Sequence, residues 1–212
     1  MPQVSNPTAP SQPAYRRSEP DARRLSLIEA CARVLARAGI GGASVRAIAV
    51  EAGVSAGLVN HYFAGVDALV AATYAHVGAK VDGALAAAVA AAGDDPRARL
   101  AAYVTASFAP PIADPQLLAT WIAFWSLVRA RPEISALHDE QYGGFRAQLE
   151  ALLAEAGLPP HELRLCAIEL TALVDGLWLE LCLSPQAFSA DEAAAIARAA
   201  LARIISPDRA TG

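Results

Sequence analysis

The sequence predicts an all-α fold of about nine helices, and three observations carry that prediction. Alanine dominates a chain that is 55% hydrophobic and only 18% charged, and alanine loses less than any other residue on entering a helix. Aromatic residues make up 6%, too few for the core of a β-sandwich. Apolar residues recur at helical period between Gly, Pro, Ser and Asp punctuation, and no stretch reads as a strand or an internal repeat. At 212 residues the chain suffices for one sizeable core or two small domains.

Taken in order, residues 1–20 hold Pro2, Pro7, Pro10, Pro13 and Pro20 among Ser, Gln and Asn, the composition of a disordered arm. Asp21 caps a first helix to Ala38, with Leu25, Ile28, Ala32, Leu35 and Ala36 as its apolar stripe. Gly39, Gly41 and Gly42 end it. Ser44 caps a second helix to Ala52, Gly53 supplies a left-handed turn, and Ser55 caps a very short third helix, 56–62. Val45, Ile48, Val54, Leu58 and Phe63 join Ile28 and Leu35 as the core of this three-helix unit. Val66 to Ala92 reads as a long connecting helix, with Asp67 complementing its dipole and Leu69, Tyr74, Val77, Val81 and Leu85 facing inward. Asp94 or Asp95 caps the next, which Pro96 opens and which runs to about Phe108. Pro110 and Pro111 break the chain, and Asp114-Pro115 restarts it through Trp121 and Trp125 to Arg129. Pro132 opens a helix to Ala156. Pro159-Pro160 opens one that carries Trp178 and ends near Ser184, and Ser189 caps a last helix, 190–205. The division expected is an arm at 1–20, a helix-turn-helix domain at 21–65, a helical body at 66–206 and a tail at 207–212.

Ser44 to Phe63 has the helix, tight turn, helix arithmetic of a motif that lays its second helix in the DNA major groove. That second helix bears Asn60, His61 and Tyr62 where a core helix would place aliphatics. Ser55, Ala56 and Gly57 keep its N-terminus small, so that backbone can approach phosphate. Asn60 suits bidentate reading of adenine, and Ser44, Arg46, His61 and Tyr62 suit the phosphate backbone. The net charge of −4 divides unevenly. Residues 16–63 hold seven arginines against four carboxylates, +3, while residues 64–212 carry −7. A basic end on an acidic body is the electrostatic pattern of an oriented DNA reader, although +3 also suits a solvated face. Arg16 and Arg17 stand where a basic arm enters a minor groove, or simply in a tail.

The run G-V-S-A-G-L-V-N-H-Y-F, Gly53 to Phe63, resembles the signature of the TetR family of bacterial repressors. The resemblance is strong over residues 21–81, and the order of three short helices before a larger helical body agrees with it. It implies DNA contacts at Ser44, Arg46, Ala56, Gly57, Asn60, His61 and Tyr62. One departure is Val66, where the family commonly places a phosphate-binding lysine. Without that cation the slope of log K against log salt is shallower by roughly 0.9.

In the body, Trp121 and Trp125 share a helical face, Phe124 joins them, and Trp178 follows Asp175 by three residues. Indoles with a carboxylate suit a quaternary ammonium ligand through cation–π attraction, although such a stripe also serves as plain core or dimer interface. W-I-A-F-W (Trp121 to Trp125) and A-L-V-D-G-L-W-L (Ala172 to Leu179) resemble the C-terminal domain of choline-responsive, BetI-type regulators, a pattern shared by relatives with other ligands. A single short reading helix implies a homodimer. Its expected interface is the last two helices, with Ala197, Ala200, Leu201 and Ile204 as packing positions in a four-helix bundle.

The reading is therefore a DNA-binding repressor released from double-stranded operator DNA by a small-molecule effector, choline or an apolar drug-like compound. Rival classes are a helical enzyme or carrier, for which only Glu169, Asp175 and Glu180 offer interior carboxylates, and a structural dimerisation module. No catalytic residue, cofactor or metal set is expected. His138 and His161 read as surface residues, and Cys31, Cys166 and Cys182 as buried reduced thiols without metal-ligand spacing. No apolar run spans a membrane and no secretory h-region opens the chain, so a cytoplasmic location is expected.

Overall fold

The computed structural model describes residues 19–206. The described residues form nine helices and no strand: α1 Glu19–Gly42, α2 Val45–Ala52, α3 Ala56–Tyr62, α4 Val66–Ala91, α5 Pro96–Ala106, α6 Pro115–Val128, α7 Pro132–Glu155, α8 Pro160–Leu183 and α9 Ala190–Ile204. Arg16, Arg17, most of the expected arm and the tail at 207–212 lie outside them.

Capping chemistry fixes most boundaries. The Ser44, Ser55, Asp95 and Asp114 side chains each accept an amide hydrogen bond three residues on, as helix caps do. Ser189 and Glu192 form a reciprocal capping box at α9. Gly53 takes φ 66°, the left-handed conformation expected of it. Two expectations are corrected. Asp21 lies inside the first turn of α1, which begins at Glu19, where a carboxylate favours the dipole without capping. Asp95, not Asp94, caps α5. Gly39, with φ 59° and ψ −167°, breaks α1 before a last short turn to Gly42.

α1 buries a face wider than the predicted stripe, adding Leu27, Cys31 and Val34, because it packs on α2, α4 and α6 at once. Ile48, Ala49, Val59 and Phe63 complete the core of the three-helix head. Leu58 is only half-buried and Val59 takes its place, since the i, i+4 pair Val59 and Phe63 is the one turned into the core. α4 runs from the head into the body, burying Leu69, Tyr74, Val77, Val81 and Leu85. Two polar ties cross the same junction: Thr120 Oγ1 donates to Ala32 O at 3.2 Å, and Arg131 pairs with Asp67 at 2.5 Å.

On α9, Ala197, Ala200, Leu201 and Ile204 are buried within the chain's own core, which corrects their assignment to an intermolecular face. On the last two helices the large apolar side chains turned outward are instead Leu165, Ile168, Leu179 and Leu183 of α8 and Ile196 of α9. None of the three cysteines is in a disulfide, and Cys182 is half-exposed. No helix among the described residues is long and apolar enough to cross a membrane.

Candidate nucleic-acid interface and interior chamber

The head presents one polar, small-residue surface. Ser44, Arg46, Ser55, Ala56, Gly57, Asn60 and His61 are all exposed, and Tyr62 is half-buried with its ring edge-on to His61 at 5.2 Å. A side chain at position 57 would meet only Ser55 Oγ, at 3.8 Å, so the N-terminal end of α3 is open to approach. The hydroxyls of Ser44 and Ser55 are engaged as caps, accepting from Ala47 and Leu58 amides at 3.1 and 3.3 Å. Their lone pairs are thereby partly used, and the hydroxyl protons remain for an outside acceptor.

The arginines divide into two kinds. Arg33 and Arg37 both grip Glu51, at 2.7 and 2.9 Å, and these bonds hold its carboxyl below the usual carboxylate range. Arg24 lies over the Phe63 ring at 4.7 Å, bracing the end of α3. These three build the head. Arg46, exposed on α2 beside the turn, enters no ion pair among the described residues. It is the one arginine between Ser44 and Phe63, and its charge faces solvent.

The body assembles a chamber from α4, α6, α7 and α8. Trp121, Trp178, Tyr142, Phe145, Asp175 and Gln141 line a cavity of about 40 Å³ together with Val81, Val174 and Ser107. Trp121 and Trp178 meet edge to face, 6.1 Å apart at 88°. Tyr142 sits at the centre: its oxygen accepts the indole N–H of Trp121 at 3.3 Å and of Trp125 at 3.0 Å, and its O–H donates to Asp175 Oδ1 at 3.0 Å. Trp178 Nε1 donates to the buried Ser107 carbonyl at 2.8 Å. Burial raises the Asp175 carboxyl to about 6, against the lowering effects of the Tyr142 bond and of Arg146. Burial likewise pushes the Tyr142 phenol up, so it stays a neutral donor.

Of the five residues expected here, Trp121, Asp175 and Trp178 line the chamber and Trp125 reaches it through Tyr142. Phe124 does not; it packs on Tyr74 at 4.8 Å and edge-on to Trp121 at 6.1 Å. His138, expected at the surface, is instead half-buried. It stacks on Tyr142 at 4.2 Å and lies 3.3 Å from the Tyr74 hydroxyl, and burial lowers its pKa. His161 is exposed, as expected. Among the described residues, no group of three or more His, Cys, Asp or Glu could hold a metal ion.

Comparison with known proteins follows the same two-part division. Residues 27–73 match the model of the bacterial regulatory proteins of the tetR family, and residues 96–206 match that of the BetI-type transcriptional repressor C-terminal domain. An HTH-type transcriptional regulator BetI of Burkholderia thailandensis is 36% identical over 87% of this chain and 94% of its own. The chain belongs to the TetR family. Its C-terminal domain is of the BetI type, and it is a TetR-type transcriptional regulator, as the resemblance of Gly53 to Phe63 implied. A putative transcriptional regulator of Pseudomonas aeruginosa PAO1 shares the TetR fold at a TM-score of 0.80 and 42% identity, covering 90% of this chain and 94% of that one. A putative regulator of Saccharomonospora viridis, crystallised in complex with choline, has the same fold at a TM-score of 0.72 and 20% identity, covering 84% and 94%. The TetR relatives are named as regulators and not as enzymes.

Tyr142, Phe145 and Gln141 are the chamber residues that sequence reasoning missed. A signal existed: His138, Tyr142 and Phe145 stand at i, i+4 and i+7 on α7, an aromatic stripe on a helix otherwise rich in Glu, Gln and Ala.

Proposed function

We propose that the chain is a homodimeric repressor that reads operator DNA with α3 and releases it when a small quaternary ammonium ion, choline or a near relative, enters the chamber. The observation that carries the effector half is Asp175, a half-buried carboxylate under two indoles and a phenol, held by Tyr142 at 3.0 Å. Its raised pKa, about 6, records a negative charge short of solvation, and a desolvated cation against aromatic faces supplies that lack without a hydrogen-bond donor. A cavity of about 40 Å³ suits a compact head, having room for about three waters. That a regulator of the same fold holds choline supports the choice of probe.

On the DNA side, Asn60 reads base edges, and Ser44, Arg46, His61 and Tyr62 hold the phosphate backbone. Ser55, Ala56 and Gly57 allow the helix end to approach closely. Seven residues of α3 read too few bases for a specific site, so two copies read half-sites roughly 34–36 Å apart. The outward apolar side chains Leu165, Ile168, Leu183 and Ile196 favour pairing through α8 and α9. As a DNA reader the protein works in the cytoplasm. An ion parting Trp121 from Trp178 shifts α6, which bears on α4 through Tyr74, 5.4 Å from Trp121, and on α1 through Thr120.

Fluorescence anisotropy on the protein's own promoter duplex tests both halves. The expected result is preference over random duplex and a 5- to 150-fold loss of affinity with millimolar choline, a coupling of about 1–3 kcal/mol. No preference for the promoter contradicts the DNA half; no release by choline contradicts the effector half. A second reading, an apolar drug-like effector, is favoured by the open cleft of about 950 Å³ between α4, α5 and α7. It predicts release by a bulky apolar compound and none by choline.

A further inference from the structure

The chamber and the large cleft are neighbours, and among the described residues Gln141 is the one side chain that faces both. On the cleft side stand Asp82, Ala79 and Tyr103; on the chamber side stand Tyr142 and Phe145. Gln141 is held in place twice. Its Nε2 donates to Asp82 Oδ1 at 2.6 Å. Its carboxamide lies flat on the backbone of α4 at Gly78, where an added β-carbon would sit 2.9 Å from Gln141 Cδ and closer still to Oε1. Beside it the wall is completed by Tyr103 stacked on Phe145, centroids 5.2 Å apart, with the Tyr103 hydroxyl donating to the Phe145 carbonyl at 3.4 Å.

We infer that Gln141, seated on Gly78 and tied to Asp82, is the specificity-determining wall of the effector site: it confines the ligand to a compact ammonium head and keeps longer-tailed cations out of the cleft. This rests on the ammonium reading of the chamber. Because Gln141 lines both cavities, a tail directed from the chamber into the cleft must pass this side chain, and the cleft, with Ala75, Ala79, Ala86 and Ala90 in its lining, has room for one. Asp82 contributes by holding the amide across the opening, and Gly78 by leaving space for it. Removing the wall therefore joins the two cavities, and each tail methylene then buried in the cleft raises affinity about fourfold.

The test compares choline with n-hexyltrimethylammonium on the full-length wild type, Gln141→Ala and Gly78→Ala, by titration calorimetry. Acrylamide quenching of the tryptophans serves as a readout that needs no effector. The wild type is expected to favour choline. Both variants are expected to move the ratio of the two affinities at least tenfold toward the hexyl ion, with tryptophan quenching increased. Gly78→Ala leaves Gln141 in the chain but evicts it from its seat, so agreement between the variants separates the wall from mere loss of packing. A wild type that takes the hexyl ion as well as choline overturns the inference, as does an unchanged ratio in both variants; the effector reading then stands alone. If neither cation binds the wild type, the effector reading fails by itself. Quenching then decides the wall: increased in both variants it supports the barrier, unchanged it overturns it.

Discussion

In the head, hydroxyl groups bond amides three residues further along the chain, whereas in the body two indoles, a phenol and a carboxylate meet from positions 17, 21 and 33 residues apart. The head satisfies its backbone locally and leaves Arg46, Asn60 and His61 exposed. The body turns its polar groups on one another, so that Tyr142 has both acceptor positions and its proton already committed. The first arrangement is a fixed surface that waits for a partner. The second is a network that a ligand would enter only by rearranging it, as the proposed switch requires.

The contrast can be broken most severely at the head's core. Ile48, fully buried, truncated to alanine should cost about 2–5 kcal/mol. Thermal unfolding of Ile48→Ala should begin at a lower temperature and operator binding should fail, while choline still binds with near wild-type affinity.

Asp175→Asn probes the body. The folded carboxyl is raised above its ordinary value, so its stabilising contribution is full below about pH 4 and is lost as pH rises through about 6. At pH 7.5 the ionised group is a cost, and the variant should be more stable than wild type by roughly 2 kcal/mol, a gap that narrows below pH 6 in denaturant titrations. The same change should weaken choline binding at least about tenfold, and wild-type affinity should itself fall as pH drops through 6. A variant that gains stability while losing its ligand marks a site held under electrostatic cost for function.

How much was legible follows from the same difference in range. Ser44, Gly53 and Ser55 act on neighbours a few residues away, so the sequence displays their geometry directly, and the family's motif lies in one unbroken run. Trp121, Trp178 and Asp175 were visible as unusual residues in a helical body. Their meeting point was not, because it depends on α7 crossing between α6 and α8, and no local rule places Tyr142 on that line. Phe124 was misplaced for a related reason: the ring it packs on, Tyr74, lies 50 positions earlier on α4, and no local rule brings the two together. The Gln141 wall needed the contact with Gly78, 63 positions earlier, before it could be seen at all.

Smaller effects sharpen the head. Asn60→Ala should cost about 1–3 kcal/mol on operator DNA and relax base preference at one position of each half-site, with the salt slope unchanged. Val66→Lys should do the reverse, tightening operator and random duplex alike and steepening the slope of log K against log salt by roughly 0.9 per subunit. Binding isotherms at several salt concentrations distinguish these outcomes.

The central claim is that the chamber governs the head, and reciprocity tests it most directly. Choline affinity should be measured by calorimetry on the free protein and on the protein saturated with its own promoter duplex. The account predicts that bound DNA weakens choline by the same factor, between about 5 and 150, by which choline weakens DNA. Equal choline affinity in the two states, with the chamber demonstrably occupied, would contradict it.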